Sequence, residues 1–188
     1  MKNFLFLTVL LLSLNSFAQK NCEYSQEVND SLGSYKSTKE YVIYEQNFAG
    51  NSDRIYFSLE KTDGLPLLSV QFINKNNNFV KALCLDKNSK IYFQLNSGKI
   101  ITLISIDKED CGTMVLDEKK NNTRIQTGFF MFMKGSFEDL KSSPINFMRI
   151  KFVSENKDYV ISKNLQSEID NNLYEPENYF INYLKCIE

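Results

Sequence analysis

The sequence predicts an α+β fold, predominantly antiparallel β in a meander or sandwich-like sheet, with a short helix near 136-142 and a C-terminal helix near 176-186. Short segments alternate apolar and polar residues, most clearly at Lys90–Asn96, where Ile91, Phe93 and Leu95 share one face. Turn signals such as Asn96-Ser97-Gly98-Lys99 separate these segments at hairpin spacing. Connections of this length disfavour a parallel α/β sheet, which needs long crossovers.

Strands are expected from residue 41 onward, roughly seven to nine in all. Ile100–Ile106 is apolar on both faces and is placed at the centre of the sheet, and Gly128 marks a bulge or a close approach. Residues 23–38 and 107–122 are polar and are assigned no strand. The expected strands are Tyr41–Tyr44, Arg54–Glu60, Leu67–Ile73, Phe79–Leu85, Lys90–Asn96, Ile100–Ile106, Arg124–Met133, Ile145–Val153 and Lys157–Ile161.

Two helices complete the expected fold. In the first, Ser136 is expected to cap the backbone amide of Asp139, and Ser143-Pro144 ends the helix. In the second, Pro176 suits the first turn. Its apolar residues recur at helical spacing, so this helix is expected to lie on the sheet. They are Tyr179, Phe180, Tyr183 and Leu184.

The N-terminus has the three-part pattern of a signal peptide. Lys2 precedes an apolar run from Phe4 to Leu14, and the small residues Ser16 and Ala18 follow it. The run is shorter than the roughly 20 residues that span a bilayer, which disfavours an uncleaved anchor. The chain therefore divides into a signal peptide, residues 1–18, and a single β-rich domain, residues 19–188. We expect an exported protein, periplasmic or extracellular, with no transmembrane anchor after cleavage.

Four cysteines in an exported domain predict two disulfides. If residues 79–106 run up, down and up, Cys84 and Cys111 lie at the same end of the sheet, within reach of a disulfide. Cys22–Cys186 follows by elimination and ties the termini together. Four reduced, buried thiols are a weaker alternative, because an exported domain is expected in an oxidising compartment. A zinc site is also weaker, because there is no C-x-x-C pair and no histidine.

The absence of histidine limits the chemistry. Ser-His-Asp and Cys-His catalysis and an imidazole switch are excluded, and no phosphate-binding or dinucleotide-binding motif occurs. An enzyme is therefore disfavoured, no catalytic or metal-binding residue is assigned, and no cofactor is expected. A net charge of −1 with no basic stripe argues against nucleic acid as a partner.

Several segments together resemble uncharacterised small exported β-rich proteins typical of Bacteroidota, a group with no established activity. The resemblance implies compartment and architecture and leaves function open. It depends on Phe17-Ala18-Gln19, on Cys84 to Gly98 running on to Cys111-Gly112, on Ser136–Lys141 before Ile145–Phe152, and on Tyr179–Ile187.

Two features are candidates for binding. Tyr41, Tyr44, Tyr56 and Tyr92 are assigned to the more polar strand faces, where they form a candidate surface for a glycan or protein or else are partly buried. Residues 129–133, Phe-Phe-Met-Phe-Met, form either a central core strand or the wall of an apolar pocket.

Acidic residues offer a third candidate. Asp107, Glu109 and Asp110 form either a solvated loop or a calcium site, although the spacing of a recognised calcium loop is absent. Glu138 with Asp139 is a further carboxylate pair.

Three functions remain open. The preferred one is a non-enzymatic exported domain that binds a protein or cell-envelope component through its sheet face. The alternatives are a carrier of an apolar ligand in a β-lined cavity and a carboxylate-dependent hydrolase.

Overall fold

The computed structural model describes residues 20–31, 33–116, 118 and 121–188. The predicted signal peptide, residues 1–18, lies outside the described residues. The described residues form thirteen strands, more than expected from the sequence. The strands are β1 Tyr24–Asp30, β2 Gly33–Thr38, β3 Tyr41–Phe48, β4 Asn51–Thr62, β5 Leu65–Asn76, β6 Lys90–Leu95, β7 Ile100–Ser105, β8 Thr113–Leu116, β9 Asn122–Phe132, β10 Ile145–Lys151, β11 Asn156–Val160, β12 Leu165–Gln166 and β13 Leu173–Tyr174.

Eleven of these strands form one antiparallel sheet, which confirms the predicted fold class. Its main path is β1-β2-β4-β5-β9-β7-β6-β10-β11. Strand β3 pairs with the first half of β4, and β8 pairs with the first half of β9. Strands β12 and β13 form a separate two-stranded ribbon.

The sheet curls until strands far apart in its order face one another. The rings of Tyr44 on β3 and Tyr159 on β11 have centroids 5.0 Å apart, although the strands between them are β4, β5, β9, β7, β6 and β10. The enclosed inner face is the core. Ile55, Phe57 and Leu59, predicted to share a face, are all 0% exposed there.

Both predicted helices are present. Helix α1 spans Ser136–Ser142 and ends before Pro144. Ser136 does not cap it: Gly135, at φ 84°, is the N-cap residue, and the Ser136 hydroxyl donates to the carbonyl of Met133 instead. The predicted cap is therefore wrong, because a left-handed glycine already turns the chain into the helix.

The second helical region, here called the C-terminal helical segment, spans residues 176–187. It consists of a 3₁₀ turn at Pro176–Asn178, helix α2 at Tyr179–Tyr183 and a 3₁₀ turn at Leu184–Ile187. Phe180 lies 5.1 Å from Phe93 and 6.1 Å from Phe57 between ring centroids. The segment thus closes one end of the curled sheet with aromatic side chains.

Some strand assignments from the sequence are wrong. Strands β1, β2 and β8 were not expected. β1 and β8 are largely exposed and β2 is polar, and each is held by backbone pairing with a neighbouring strand. Phe79–Leu85 is not a strand; it has only the isolated bridge between Leu85 and Asp110. We call residues 77–89 the covering segment, because its fully buried Leu85 packs against Gly128 across the inner face.

The structure contains both expected disulfides. Cys84 and Cys111 flank the Leu85–Asp110 bridge, where two backbone hydrogen bonds of 2.8 and 2.9 Å hold the chains together. Their Cα atoms are 4.0 Å apart, close to the spacing of a non-hydrogen-bonded antiparallel pair. Cys22–Cys186 joins the start of the described domain to the C-terminal helical segment.

The central position of Ile100–Ile106 is confirmed, since β7 lies between β9 and β6. The two terminal residues of this stretch are exposed: Ile100 by 63% and Ile106 by 47%.

Among the described residues, no helix is both long enough and apolar enough to cross a membrane.

Candidate functional site

The four tyrosines of the candidate surface do not share one face of the sheet. Tyr41 and Tyr44 pair opposite Phe57 and Ile55, both core residues, and therefore lie on the inner face. Tyr56 lies between Ile55 and Phe57 on β4, so its side chain points to the outer face.

A β-bulge explains the difference. The pairing of β3 with β4 shifts between Val42 and Tyr44, so Ile43 is an extra residue and is buried. Simple alternation would put Tyr41 and Tyr44 on opposite faces, whereas the bulge puts them together.

The remaining predicted residues also separate. Tyr92 is half-buried and pairs with Thr102 and Arg149, away from the others. Phe130 and Phe132 belong to the core, as the core interpretation expects. Phe129 lies on the opposite face, where it lines a groove with Tyr56.

The acidic residues near Cys111 do not converge on one site. Asp107 accepts a hydrogen bond of 2.6 Å from the amide of Phe129, and Asp110 accepts one of 3.2 Å from Gly112. Burial raises the pKa of Asp107. Within the described part of the chain, Cys84, Glu109 and Cys111 lie close enough together to hold a metal ion. The two cysteine sulfurs are already joined in a disulfide, however.

A pocket of ≈ 400 Å³ opens at the end of the curled sheet, in the size range of small-molecule sites. We call it the mouth pocket. Strands β3 to β5, the covering segment and the β10–β11 turn form its walls. Its lining residues are Gln46, Phe48, Asn51, Ser52, Asp53, Asn74, Lys75, Asn76, Phe79, Val80, Lys81, Leu83, Glu155, Lys157 and Tyr159.

The inner row of the sheet becomes polar where it reaches this pocket. Gln46, Asp53 and Asn74 are directly paired across β3, β4 and β5. One row further in, the corresponding residues are Tyr44, Ile55 and Phe72. The pocket therefore has hydrogen-bonding walls above an aromatic floor.

Asp53 is the most distinctive group in the mouth pocket. Its Oδ1 accepts a 2.7 Å hydrogen bond from Nδ2 of Asn74. Among the described residues it has no ion pair within 4 Å. Burial raises its pKa, while the hydrogen bond from Asn74 and the charge of Lys157 oppose the rise. It thus offers acceptor capacity to a ligand.

Tyr159 lines the floor beside this carboxylate, and Tyr44 packs against it. Tyr159 is 7% exposed, and its ring meets Tyr44 edge to face. The Tyr44 hydroxyl donates to Oε1 of Gln46 at 2.8 Å. Burial, followed by the negative charge of Asp53, raises the pKa values of both hydroxyls, so both stay neutral at ordinary pH.

The other acid of the mouth pocket is already paired. Glu155 contacts Lys81 of the covering segment and lies 3.3 Å from Lys157. Hydrogen bonds from Lys81 and Lys157 lower its pKa. The Lys81 pair also connects the covering segment to the β10–β11 turn across the pocket.

Two phenylalanines stand at the rim with most of their surface in solvent. Phe48, at the β3–β4 turn, is 77% exposed, and Phe79, in the covering segment, is 76% exposed. A single exposed apolar residue is ordinary, but two that line one pocket supply flat surfaces for a ligand.

Sequence reasoning did not identify Asp53 as a site residue, although one signal was present. The alternation Ile55, Phe57, Leu59, extended back by two residues, places Asp53 on the buried face. The contributions of Phe79 and Glu155 have no comparable signal, because they come from a non-strand segment and a distant turn.

No family model, no curated protein and no solved structure matches this chain.

Proposed function

We propose that this protein is an exported, non-enzymatic binding domain whose mouth pocket holds a sugar unit of a cell-envelope glycan. The observation that supports the proposal is the lining of the mouth pocket. Short amide, carboxylate and hydroxyl side chains stand beside the rings of Phe48, Phe79 and Tyr159.

This combination matches the chemistry of a sugar. Hydroxyl groups both donate and accept, so they pair with the free acceptor capacity of Asp53 and with the amides of Asn74 and Gln46. The C–H face of a pyranose ring is apolar and packs on an aromatic ring.

Charge also favours a neutral ligand. The mouth pocket contains two acids, Asp53 and Glu155, against Lys75, Lys81 and Lys157. Glu155 already pairs with two of these lysines. With two acids against three lysines, the formal charge of the lining is small, so neither a strongly anionic nor a strongly cationic ligand gains much from it.

The compartment is consistent with this function. Two disulfides suggest an oxidising, extracytoplasmic environment. Placement in the periplasm or at the cell surface, where envelope glycans are found, is part of the proposal. An apolar ligand in the core is less well supported, because Phe130 and Phe132 pack inside the core cluster.

A glycan array with the domain from residue 19 onward, followed by calorimetry on the best hit, tests the proposal. Asp53→Asn should weaken binding about tenfold or more, because a hydrogen bond to a charged group is lost. Phe79→Ala should also weaken it by loss of stacking. Asp158→Asn and Leu173→Ala are matched controls: neither residue lines the mouth pocket, and both are exposed.

Two results would reject the sugar site. One is the absence of any glycan that binds the wild-type domain. The other is a hit whose affinity is the same for Asp53→Asn and wild type, since binding would then lie elsewhere on the protein.

One observation supports a second candidate, a carboxylate-dependent glycan hydrolase: two carboxyl groups, those of Asp53 and Glu155, line the same pocket. Burial raises the pKa of Asp53, whereas Lys81 and Lys157 lower that of Glu155. Carboxyl groups shifted in opposite directions are typical of an acid and its partner base or nucleophile. Reducing-end release from the bound glycan is the test. If Asp53→Asn and Glu155→Gln each abolish this release, hydrolysis is supported. If the glycan stays intact after incubation with wild type, only the binding function remains.

A further inference from the structure

A second concave site lies on the outer face of the sheet, independent of the mouth pocket. It is a groove of ≈ 550 Å³ over β4, β5 and β9, bordered by β1, β2 and the β2–β3 connection. We call it the outer groove. Its lining residues are Ser25, Ser37, Thr38, Lys39, Glu40, Tyr56, Ser58, Glu60, Ser69, Gln71, Thr127 and Phe129.

The floor of the outer groove is low because its side chains are short. Ser58 pairs with Ser69 across β4 and β5, and Ser69 pairs with Phe129 on β9. In the next row, Tyr56, Gln71 and Thr127 stand side by side. Two aromatic rings therefore rise on opposite sides of a serine-lined trough.

Glu60 places a carboxylate in this trough. Only 9% of the residue is exposed. Hydrogen bonds from Tyr35 and Ser69 lower its pKa, but burial has the larger effect and raises it. Within the residues that the structure describes, Glu60 has no ion pair within 4 Å, so its carboxylate has no cationic partner there.

The charges that face the outer groove are predominantly acidic. Glu40 joins Glu60 in the lining. The one lysine of the lining, Lys39, forms a solvent-exposed ion pair with Glu23 at 2.9 Å. The groove thus combines two acids and two aromatic faces with no uncommitted cation among its lining residues. Aromatic faces attract ammonium groups as carboxylates do.

We propose that the outer groove binds an extended aliphatic polyamine. One ammonium group pairs with Glu60 inside the trough, and a second reaches Glu40 at its rim. The methylene chain between them lies over Ser58 and Ser69, flanked by the rings of Tyr56 and Phe129. The pairing supplies Glu60 with the cation that the fold does not.

Calorimetry with spermidine as the probe, at low salt and near neutral pH, tests this site. Wild type should bind, with affinity falling as salt rises. Glu60→Gln should weaken binding about tenfold or more, since it removes the buried charge and keeps the shape. Glu27→Gln on β1 is the matched control, because Glu27 is exposed and does not line the groove. Octane-1,8-diol, of similar length but uncharged, should not bind.

A second variant keeps the two sites apart. Asp53→Asn alters the mouth pocket and should leave spermidine affinity unchanged. Circular dichroism on Glu60→Gln checks that the fold is intact, and Glu40→Gln offers a solvent-exposed alternative if it is not. The proposal is overturned if wild type does not bind spermidine, if the diol binds equally well, or if Asp53→Asn and not the groove variants abolishes binding.

Discussion

The disulfide between Cys22 and Cys186 should contribute more to stability than the one between Cys84 and Cys111. The first joins residues 164 apart in sequence and the second joins residues 27 apart. In the chain-entropy model, these loops correspond to about 5 and about 3.5 kcal/mol at 25 °C, because the longer loop restricts the unfolded chain more. Domains of this size are stable by about 5–15 kcal/mol, so loss of Cys22–Cys186 should remove a large share of the total.

The measurement is urea unfolding, followed by circular dichroism, of two double variants. Cys22→Ala/Cys186→Ala and Cys84→Ala/Cys111→Ala each remove one bridge, and alanine suits the buried position of Cys186. The free energy of unfolding should fall further in the first variant, by about 1.5 kcal/mol. An equal or larger loss in the second would show that loop length does not set the ranking and that packing of the covering segment dominates.

Three further predictions concern packing, titration and the surface. Gly128→Ala should destabilise the fold by about 1–3 kcal/mol in urea unfolding, because the new Cβ would clash with Cδ1 of buried Leu85 and lie 3.1 Å from the Phe130 ring; the cost should shrink in a Leu85→Ala background, and an additive double variant would contradict the clash. Burial raises the pKa of Asp53, so the folded state keeps this proton to higher pH than the unfolded chain. The unfolding free energy of wild type minus that of Asp53→Asn should therefore fall as pH rises above the ordinary value of 3.8, and a difference that grows with pH would reverse the assignment. Arg149 and Asp158 form two 2.6 Å hydrogen bonds while nearly half exposed, so a double-mutant cycle should give only a weak coupling that falls further as salt is added, and a strong coupling that does not respond to salt would contradict this.

The parts of the fold with one buried face were predictable from the sequence. Strands such as β6 alternate with period two, and Tyr179–Leu184 recurs at helical spacing, since burial of one face imposes that period. The cysteine pairing followed from strand direction, even though Phe79–Leu85 is not a strand. Its single bridge at Leu85 brings Cys84 to Cys111 as a full strand would have done.

The missed elements lack such a signal. Strand β1 is exposed along six of its seven residues and is held by pairing with β2, which no local pattern reports. The mouth pocket was not predictable as a unit, because Asp53, Phe79 and Glu155 come from separate parts of the chain and meet only when the sheet curls. Tyr41 and Tyr44 both lie on the inner face and not on the polar face assigned to them; for Tyr44, the bulged residue Ile43 reverses the alternation.

The C-terminal helical segment follows all of the described strands in sequence, yet its side chains complete the core at one end of the curled sheet. Until Tyr179 and Phe180 dock, the rings of Phe57 and Phe93 have no cover on that side. During synthesis, the apolar inner face around Phe57 and Phe93 therefore stays uncovered on that side until the C-terminal helical segment has been made. Self-association of the nascent chain should be greatest before Tyr179 and Phe180 can dock, so a chaperone that binds exposed apolar surface would be most useful at that stage.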